Sequence, residues 1–267
     1  LGQSNKFLMI KKIATSFMLL MSAAPVFAAG SGFTWSHFLL GSLEAPLVKL
    51  GIDPVPMLDL LIVAAALIVF AYIAGKPFRK SEMLEPSGRA NLQHFSEIVV
   101  SGILNFLSGI IRHGIGARPI LPLLGTYALF ILVLNLAGIV PGFNPPTDQF
   151  NVTIVFAIIV FVMTHVLGLR QHGAAYIKQF LGPLPLLAPL MFPIEIVSHC
   201  VRLLSLSIRL FGNMTGDHKV VMIFTSIFAI GLPIPFLGLG ILISVLQAFV
   251  FVLLSAIYFE LAMSEAH

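Results

Sequence analysis

Five long apolar segments dominate this chain of 267 residues and require a fold that crosses a lipid bilayer several times. A bilayer core about 30 Å thick needs roughly 20 apolar residues in one helix, and backbone polar groups at that depth must be hydrogen bonded within the protein. Only 10% of the residues are charged, compared with roughly 25% in soluble domains. The sequence therefore predicts an all-α polytopic membrane protein. Its five transmembrane helices extend over about residues 57–75, 119–140, 152–169, 188–231 and 235–262.

The first residues have the features of a targeting segment. Lys11 and Lys12 precede an apolar stretch, and residues 26–28, which end at Ala28, resemble a signal-peptide cleavage site. We predict that residues 1–28 comprise an N-terminal extension and a targeting segment, and that residues 29–267 form one membrane domain. Trp35 indicates that the following segment lies at the membrane interface.

Residues 76–118 contain one helix that does not span the membrane. Polar residues recur there at steps of three or four: Glu97, Ser101, Asn105, Ser108 and Arg112. The intervening positions are mostly apolar, so the segment predicts an amphipathic helix on the membrane or against other helices.

Lys and Arg are concentrated in residues 76–118 and 170–178. The positive-inside rule places both loops and the C-terminus in the cytoplasm and the processed N-terminus outside. The net charge of +4 is thereby explained, and no nucleic-acid partner is predicted. Cys200 is the only cysteine, which excludes a disulfide framework or a thiolate metal site within one chain. No cofactor is predicted.

Residues 188–231 are too long for an upright helix. A continuous helix of this length would extend about 66 Å, twice the thickness of the bilayer core. The segment must therefore break, with Gly212 and Gly216 as candidate positions, or lie steeply tilted. It would form a long tilted hairpin with the last segment.

Arg209 is the most informative residue of this segment. An arginine near the bilayer centre costs roughly 2.5–3.5 kcal/mol on insertion scales, and a guanidinium does not lose its proton in proteins. Glu195 and Arg202 precede it at steps of seven, with Ser205 and Asn213 beside it. Such a polar stripe at membrane depth indicates function. The alternatives are a Glu195–Arg202 ion pair that only joins helices, and an Arg209 whose charge is satisfied by packing.

Three further polar residues are candidates. His218 lies on the opposite helical face from Arg209 and is of a residue type that exchanges protons near neutral pH; the alternative is an interfacial cluster of residues 217–219. Gln247 is the only strongly polar residue in the middle of the last segment and can hydrogen bond to the preceding helix. Glu260 is expected at the cytoplasmic interface. Arg202, Ser205 and Glu260 are secondary site candidates.

The segments SLSIRLFGNM and LQAFVFVLLSAIY resemble subunit a of F-type ATP synthases. The turn NLAGIVPGFNPPTDQFNVT and the run APLMFPIEIVSH are also similar to that family, and the resemblance extends from about Trp35 to the C-terminus. It implies one transmembrane helix, an amphipathic helix, a transmembrane hairpin and a long tilted hairpin packed against a rotating ring of c subunits.

The resemblance also implies roles for individual residues. Arg209 matches the essential arginine that faces the c-ring carboxylates. The polar positions of the half-channels and of the arginine surroundings match Glu195, Asn213 and Gln247. His218 lies where family members carry Glu or His, but the usual partner position on the last helix is Gly240 here. This difference leaves His218 without its usual partner.

The function implied is that of a proton-conducting stator subunit of the Fo motor, without catalytic activity because the chain has no phosphate-binding loop. The implied partners are the c-subunit ring, the b-subunit peripheral stalk, the remaining ATP synthase subunits, protons and the lipid bilayer. The implied location is a bacterial inner membrane, with the mitochondrial inner membrane as the alternative. The alternatives in function are a sodium-translocating version and a stand-alone ion transporter, although no internal repeat is evident. An intramembrane enzyme would need His165, His199 and Cys200 to form a site.

Overall fold

The computed structural model describes residues 54–75, 92–140, 143–173, 175–176, 188–227 and 233–264. The targeting segment predicted for residues 1–28, the interfacial segment around Trp35 and the turn that joins the last two helices lie outside the described residues.

The described part of the chain is helical and contains no strand. Five helices are long and apolar enough to cross a membrane, which confirms the predicted fold class. The helices, numbered in chain order, are α1 (Pro54–Gly75), α2 (Leu92–Ile110), α3 (Ala117–Ala137), α4 (Phe150–His172), α5 (Ala188–Ile227) and α6 (Pro233–Ser264). A 3-10 turn, Pro146–Asp148, precedes α4.

Helix α2 is the amphipathic helix. It is not among the five helices that are long and apolar enough to span, and residues of its polar stripe such as Ser101, Asn105 and Ser108 are exposed, whereas Leu107 is fully buried. Arg112, the last residue of the predicted stripe, lies beyond the end of the helix. Helix α2 packs against α1, α3 and α6.

Helix α6 is the centre of the bundle because it contacts α3, α4 and α5. Its Phe251 side chain is fully buried. The Tyr127 ring of α3 lies edge-on to Phe251 and to Phe156 of α4, with centroid separations of 5.7 and 5.9 Å. Edge-to-face pairs of this kind add about 0.5–1.5 kcal/mol each beyond burial of the rings. This aromatic cluster fixes α6 against the hairpin of α3 and α4.

Helix α5 continues without a break for 40 residues. Gly212 and Gly216 both lie within it, so the suggestion that they interrupt the helix is wrong. Neither glycine is in a conformation that only glycine adopts, and the flanking residues keep the helical hydrogen bonds. At 1.5 Å per residue α5 is about 60 Å long, and it must tilt steeply to remain in a hydrocarbon layer about 30 Å thick.

Much of the apolar surface of α5 and α6 is left uncovered by the other residues that the structure describes. Val201, Ile208 and Ile223 of α5 are more than half exposed, and Leu246 of α6 is 50% exposed. Contiguous apolar surface of this extent faces lipid or another protein.

Candidate functional site

Arg209 lies near the middle of α5 and is half-buried. Its Nη2 atom donates a hydrogen bond of 3.4 Å to Ser205 Oγ, one turn earlier on the same helix. Within the described ranges no acidic side chain forms an ion pair with it. A neutral hydroxyl does not compensate a buried positive charge, so the guanidinium retains its capacity to attract an anion.

The residues around Arg209 on the outward side of α5 are small. Ser205, Gly212 and Gly216 lie within about 60° of Arg209 on a helix of 3.6 residues per turn, and all three are exposed. A Cβ atom added to either glycine would have nothing within 4 Å. A neighbouring helix can therefore approach the α5 backbone closely beside Arg209.

One polar group of residues, the distal cluster, lies between Arg209 and the C-terminal end of α5. It consists of Asn213, Thr215 and Asp217 of α5, Asp148 of the 3-10 turn, and Gln247 of α6. Asn213 Nδ2 donates a hydrogen bond of 2.6 Å to Gln247 Oε1, and Thr215 Oγ1 donates to Asp148 Oδ1.

The surroundings of the distal cluster contain more buried polar groups. Ser244 Oγ and Gln247 Nε2 on α6 are buried, as is His218 Nδ1 on α5, and none has a hydrogen-bond partner among the described residues. Asp59 of α1 is fully buried beside the backbone of Asn144. Since buried polar atoms in native proteins nearly always have a protein or water partner, this region is suited to hold water.

A second polar group, the proximal cluster, lies between Arg209 and the N-terminal end of α5. It consists of Glu195, His199 and Arg202 of α5, His165 of α4, and Tyr258 of α6. Glu195 Oε1 and His199 Nε2 are 3.3 Å apart, and the His165 and His199 rings are 5.0 Å apart. The Arg202 guanidinium lies 5.8 Å from the centre of the Tyr258 ring.

The proximal cluster differs in two ways from what the sequence suggested, in the partner of Glu195 and in the position of the histidines. Glu195 pairs with His199 rather than with Arg202, because His199 lies one turn away and Arg202 turns to the Tyr258 ring. His165 and His199, distant in sequence, are brought together at a partly open cavity between α4, α5 and α6. Cys200 does not line this cavity and is exposed. No group of three metal-ligating side chains converges within the described part of the chain.

Apart from Thr215, which lies about 160° around the helix from Asp217, the α5 members of the two clusters lie on one side of the helix. His199 and Asp217 are 18 residues apart, which is five full turns, so they point in the same direction and are separated by about 27 Å along the axis. Arg209 lies between them and about 80° around the helix. The helix therefore carries two polar regions, each within reach of α4, α6 or the 3-10 turn, and one cation between them.

Glu260 has a structural role that its position in the sequence did not indicate. Its Oε2 atom accepts hydrogen bonds from the backbone N–H groups of Arg112 and His113, at 3.0 and 3.2 Å. Its Oε1 atom contacts the His113 ring. Glu260 thus links the C-terminal part of α6 to the turn that follows α2, far from Arg209.

Asp148 and Asp217 belong to the distal cluster, and the sequence did not single them out as site residues. His165 and His199 were considered only for an intramembrane enzyme and not as part of the polar stripe. The sequence contained evidence for His199 and Asp217 on α5, since residues 18 apart share a helical face. The signals for His165 and Asp148 depend on how helices pack and are not visible in one sequence.

Comparisons with known proteins identify relatives over most of the chain. The family model described as ATP synthase A chain matches residues 57–260. ATP synthase subunit a of Citrifermentans bemidjiense is 49% identical over 183 residues, which cover 68% of this chain and 77% of that protein. ATP synthase subunit a of Geobacter sulfurreducens is 44% identical over 217 residues, which cover 81% and 90% of the two chains. The matched region includes Arg209 and both clusters.

Proposed function

The chain belongs to the ATP synthase A chain family, and from this premise we propose that it is the proton-conducting stator subunit of an F-type ATP synthase. In this proposal the chain forms two aqueous half-channels against a ring of c subunits. Arg209 faces the ring carboxylates and separates the two proton paths.

The observation that carries this proposal is the position of Arg209 between two polar clusters on one continuous helix. A cation without an acidic partner in the described part of its own chain requires an anion from outside. The exposed small residues beside it allow another helix to bring a carboxylate close. The proximal and distal clusters would then be the ends of two paths that stop on either side of the arginine.

The charge of Arg209 accounts for proton release. A carboxylate 4 Å from a guanidinium is stabilised by about 4 kcal/mol at an effective dielectric constant of about 20. This interaction lowers the carboxyl pKa by about three units. A protonated ring carboxyl that approaches Arg209 therefore releases its proton into one path, and the carboxylate is reprotonated from the other path after it leaves the arginine.

Arg209 also prevents direct leakage between the paths. A proton that moves straight from one cluster to the other would have to pass a group that stays protonated and has no neutral state to relay it. Each proton that crosses 100 mV provides about 2.3 kcal/mol, so several crossings must be combined through rotation of the ring to drive ATP synthesis in another part of the complex. The chain itself does not bind ATP in this scheme.

The partners and the topology follow from the same proposal. The c-subunit ring covers the uncovered apolar surface of α5 and α6, and the b-subunit peripheral stalk holds the chain against rotation. The excess of Lys and Arg in residues 76–118 and 170–178 places these loops in the cytoplasm. The proximal cluster then belongs to the cytoplasmic half-channel and the distal cluster to the outer half-channel of a bacterial inner membrane.

The test is a comparison of Arg209→Ala with Arg170→Ala in the complete ATP synthase. Arg170 is an exposed cation at the end of α4, so its loss is the matched control. We expect ATP-driven acidification of inside-out vesicles to be lost with Arg209→Ala and kept with Arg170→Ala. Retention of pumping by Arg209→Ala refutes the role of the arginine. A tagged chain that purifies from native membranes without a c-ring refutes the stator function itself.

A further inference from the structure

Gly240 of α6 packs against the carboxylate of Asp217. A Cβ atom added to Gly240 would lie 2.6 Å from Asp217 Oδ2 and 3.3 Å from its Cγ and Oδ1 atoms. Real Cβ contacts essentially never fall below 3.0 Å, so any larger residue at 240 displaces this carboxylate. Gly238, on the same helix, has nothing within 4 Å of its added Cβ. The close approach is therefore specific to Gly240.

The contact lies on the face of α6 that carries its buried polar groups. Gly240, Ser244 and Gln247 recur at steps of four and three and are all buried. Asn213 of α5 bonds to Gln247 at one level of this interface, and Asp217, one turn further along α5, lies at the level of Gly240. Asp217 is half-buried and about 12 Å along the helix axis from Arg209.

The groups around Asp217 set its environment from each neighbouring element. On α5 they are His218 and the exposed Lys219. The acid of the 3-10 turn, Asp148, accepts a hydrogen bond from Thr215, which points about 160° away from Asp217 on α5. On α6, Gly240 lies against the carboxylate, and the buried hydroxyl of Ser244 lies one turn further along the helix. Among the described residues, the Asp217 carboxylate forms no hydrogen bond and no ion pair.

We propose that Asp217 is the proton-carrying carboxylate of the outer half-channel and that Gly240 is the positioning residue that makes room for it. The proposal rests on the proposed function. In this proposal the acid of the outer path is Asp217, the residue before His218. A side chain at position 240 would occupy the space of the Asp217 carboxylate, which explains why glycine is found there. A glycine within a helix costs roughly 0.5–1 kcal/mol relative to alanine, and the space that it leaves for the Asp217 carboxylate offsets this cost.

The proposed transfer through Asp217 involves only protons and water molecules and needs no further reactant. A hydronium ion in the outer path gives one proton to an Asp217 oxygen and leaves as water, so that an O–H bond forms on the carboxyl group. The carboxyl group then gives the proton to a water held by Ser244 and Gln247, and the carboxylate is restored. Both of these α6 side chains have buried polar atoms that lack a partner among the described residues.

The first experiment measures ATP-driven acidification of inside-out vesicles that contain the complete ATP synthase. Asp217→Asn keeps the size of the side chain and removes its ionisation. We expect the pumping rate to fall about a hundredfold, the lower end of what a positioned proton-transfer group contributes. Glu97→Gln on α2 is the control for loss of an acid elsewhere and should keep the rate. Pumping by Asp217→Asn at nearly the normal rate overturns the inference.

The second experiment moves the carboxylate to the opposite helix. Asp217→Gly removes the acid, and adding Gly240→Asp places a carboxyl group in the space that it occupied. We expect the double variant to recover pumping well above the level of Asp217→Gly alone, with equal amounts of assembled complex on a native gel. A double variant that assembles but pumps no faster than Asp217→Gly refutes a role set by carboxylate position.

The Arg209→Ala variant separates this inference from the proposed function. Loss of pumping in Arg209→Ala together with normal pumping in Asp217→Asn refutes only the role of Asp217. Normal pumping in both variants refutes the stator mechanism as a whole.

Discussion

The contact between Glu260 and the turn after α2 gives a prediction that can be worked out from individual atoms. Glu260→Ala removes the acceptor of two backbone hydrogen bonds, from Arg112 and His113, and the contact with the His113 ring. The Glu260 side chain is 17% exposed, so its charge is largely shielded from water, whereas His113 is 62% exposed. Loss of the acceptor should therefore loosen the turn locally without unfolding the bundle.

The magnitude follows from the energy of a hydrogen bond to a charged group, about 1.5–3 kcal/mol. Because the turn is exposed and water replaces part of both lost hydrogen bonds, we expect about 1.5 kcal/mol for the two together, which corresponds to about a tenfold change in the local opening equilibrium. Amide hydrogen exchange of the peptide covering residues 110–116, measured in the intact complex, reports this equilibrium directly. Exchange should be about tenfold faster in Glu260→Ala than in the unaltered protein.

Two companion variants make the result specific. Glu260→Gln keeps one oxygen that accepts from the backbone, so its effect on exchange should be smaller. Glu97→Ala removes an acid from α2 itself and should leave the exchange of residues 110–116 unchanged. If Glu260→Ala exchanges at the normal rate in this peptide, the two hydrogen bonds do not hold the turn and the reasoning fails.

Two further predictions concern helix packing. A Cβ atom at Gly168 would overlap the Tyr176 ring, so Gly168→Ala should destabilise the complex by about 1–3 kcal/mol. Gly102 lies in open space, and Gly102→Ala is the control that should not lower stability. Equal midpoints of thermal unfolding for the two variants would contradict this packing. A double-mutant cycle of Asn213→Leu and Gln247→Leu, measured by denaturant unfolding, should give a coupling energy of about 0.6 kcal/mol. This is the average for a hydrogen bond between membrane helices. Strictly additive effects of the two substitutions would refute the contact.

The sequence was sufficient to predict the spanning helices because each is a continuous apolar run, and helix length in a bilayer is set by its thickness. The amphipathic helix was also predicted, since its polar residues recur at helical steps. The continuity of α5 was not resolved, because glycine lowers helix stability by only about 1 kcal/mol relative to alanine. Tertiary contacts of α5 with α4 and α6 decide the outcome at Gly212 and Gly216.

The candidate site was predictable only where it depends on one helix. The spacing of Glu195, Arg202 and Arg209 identified the polar stripe, but not that Glu195 pairs with His199. The role of Asp217 was not predictable for a different reason. Its environment is defined by the absence of a side chain at Gly240, and one sequence does not show which residue a glycine on another helix faces.

The continuous course of α5 has a consequence for how this region can vary in length. A single inserted residue between His199 and Asn213 would rotate everything beyond it by about 100° and shift it by about 1.5 Å. Asp217 would then turn away from Gly240, and Asn213 away from Gln247, while every residue before the insertion kept its place. Because no loop within α5 can absorb such a change, inherited variation between these two positions should consist of substitutions, and insertions or deletions should be confined to the segments outside the helix.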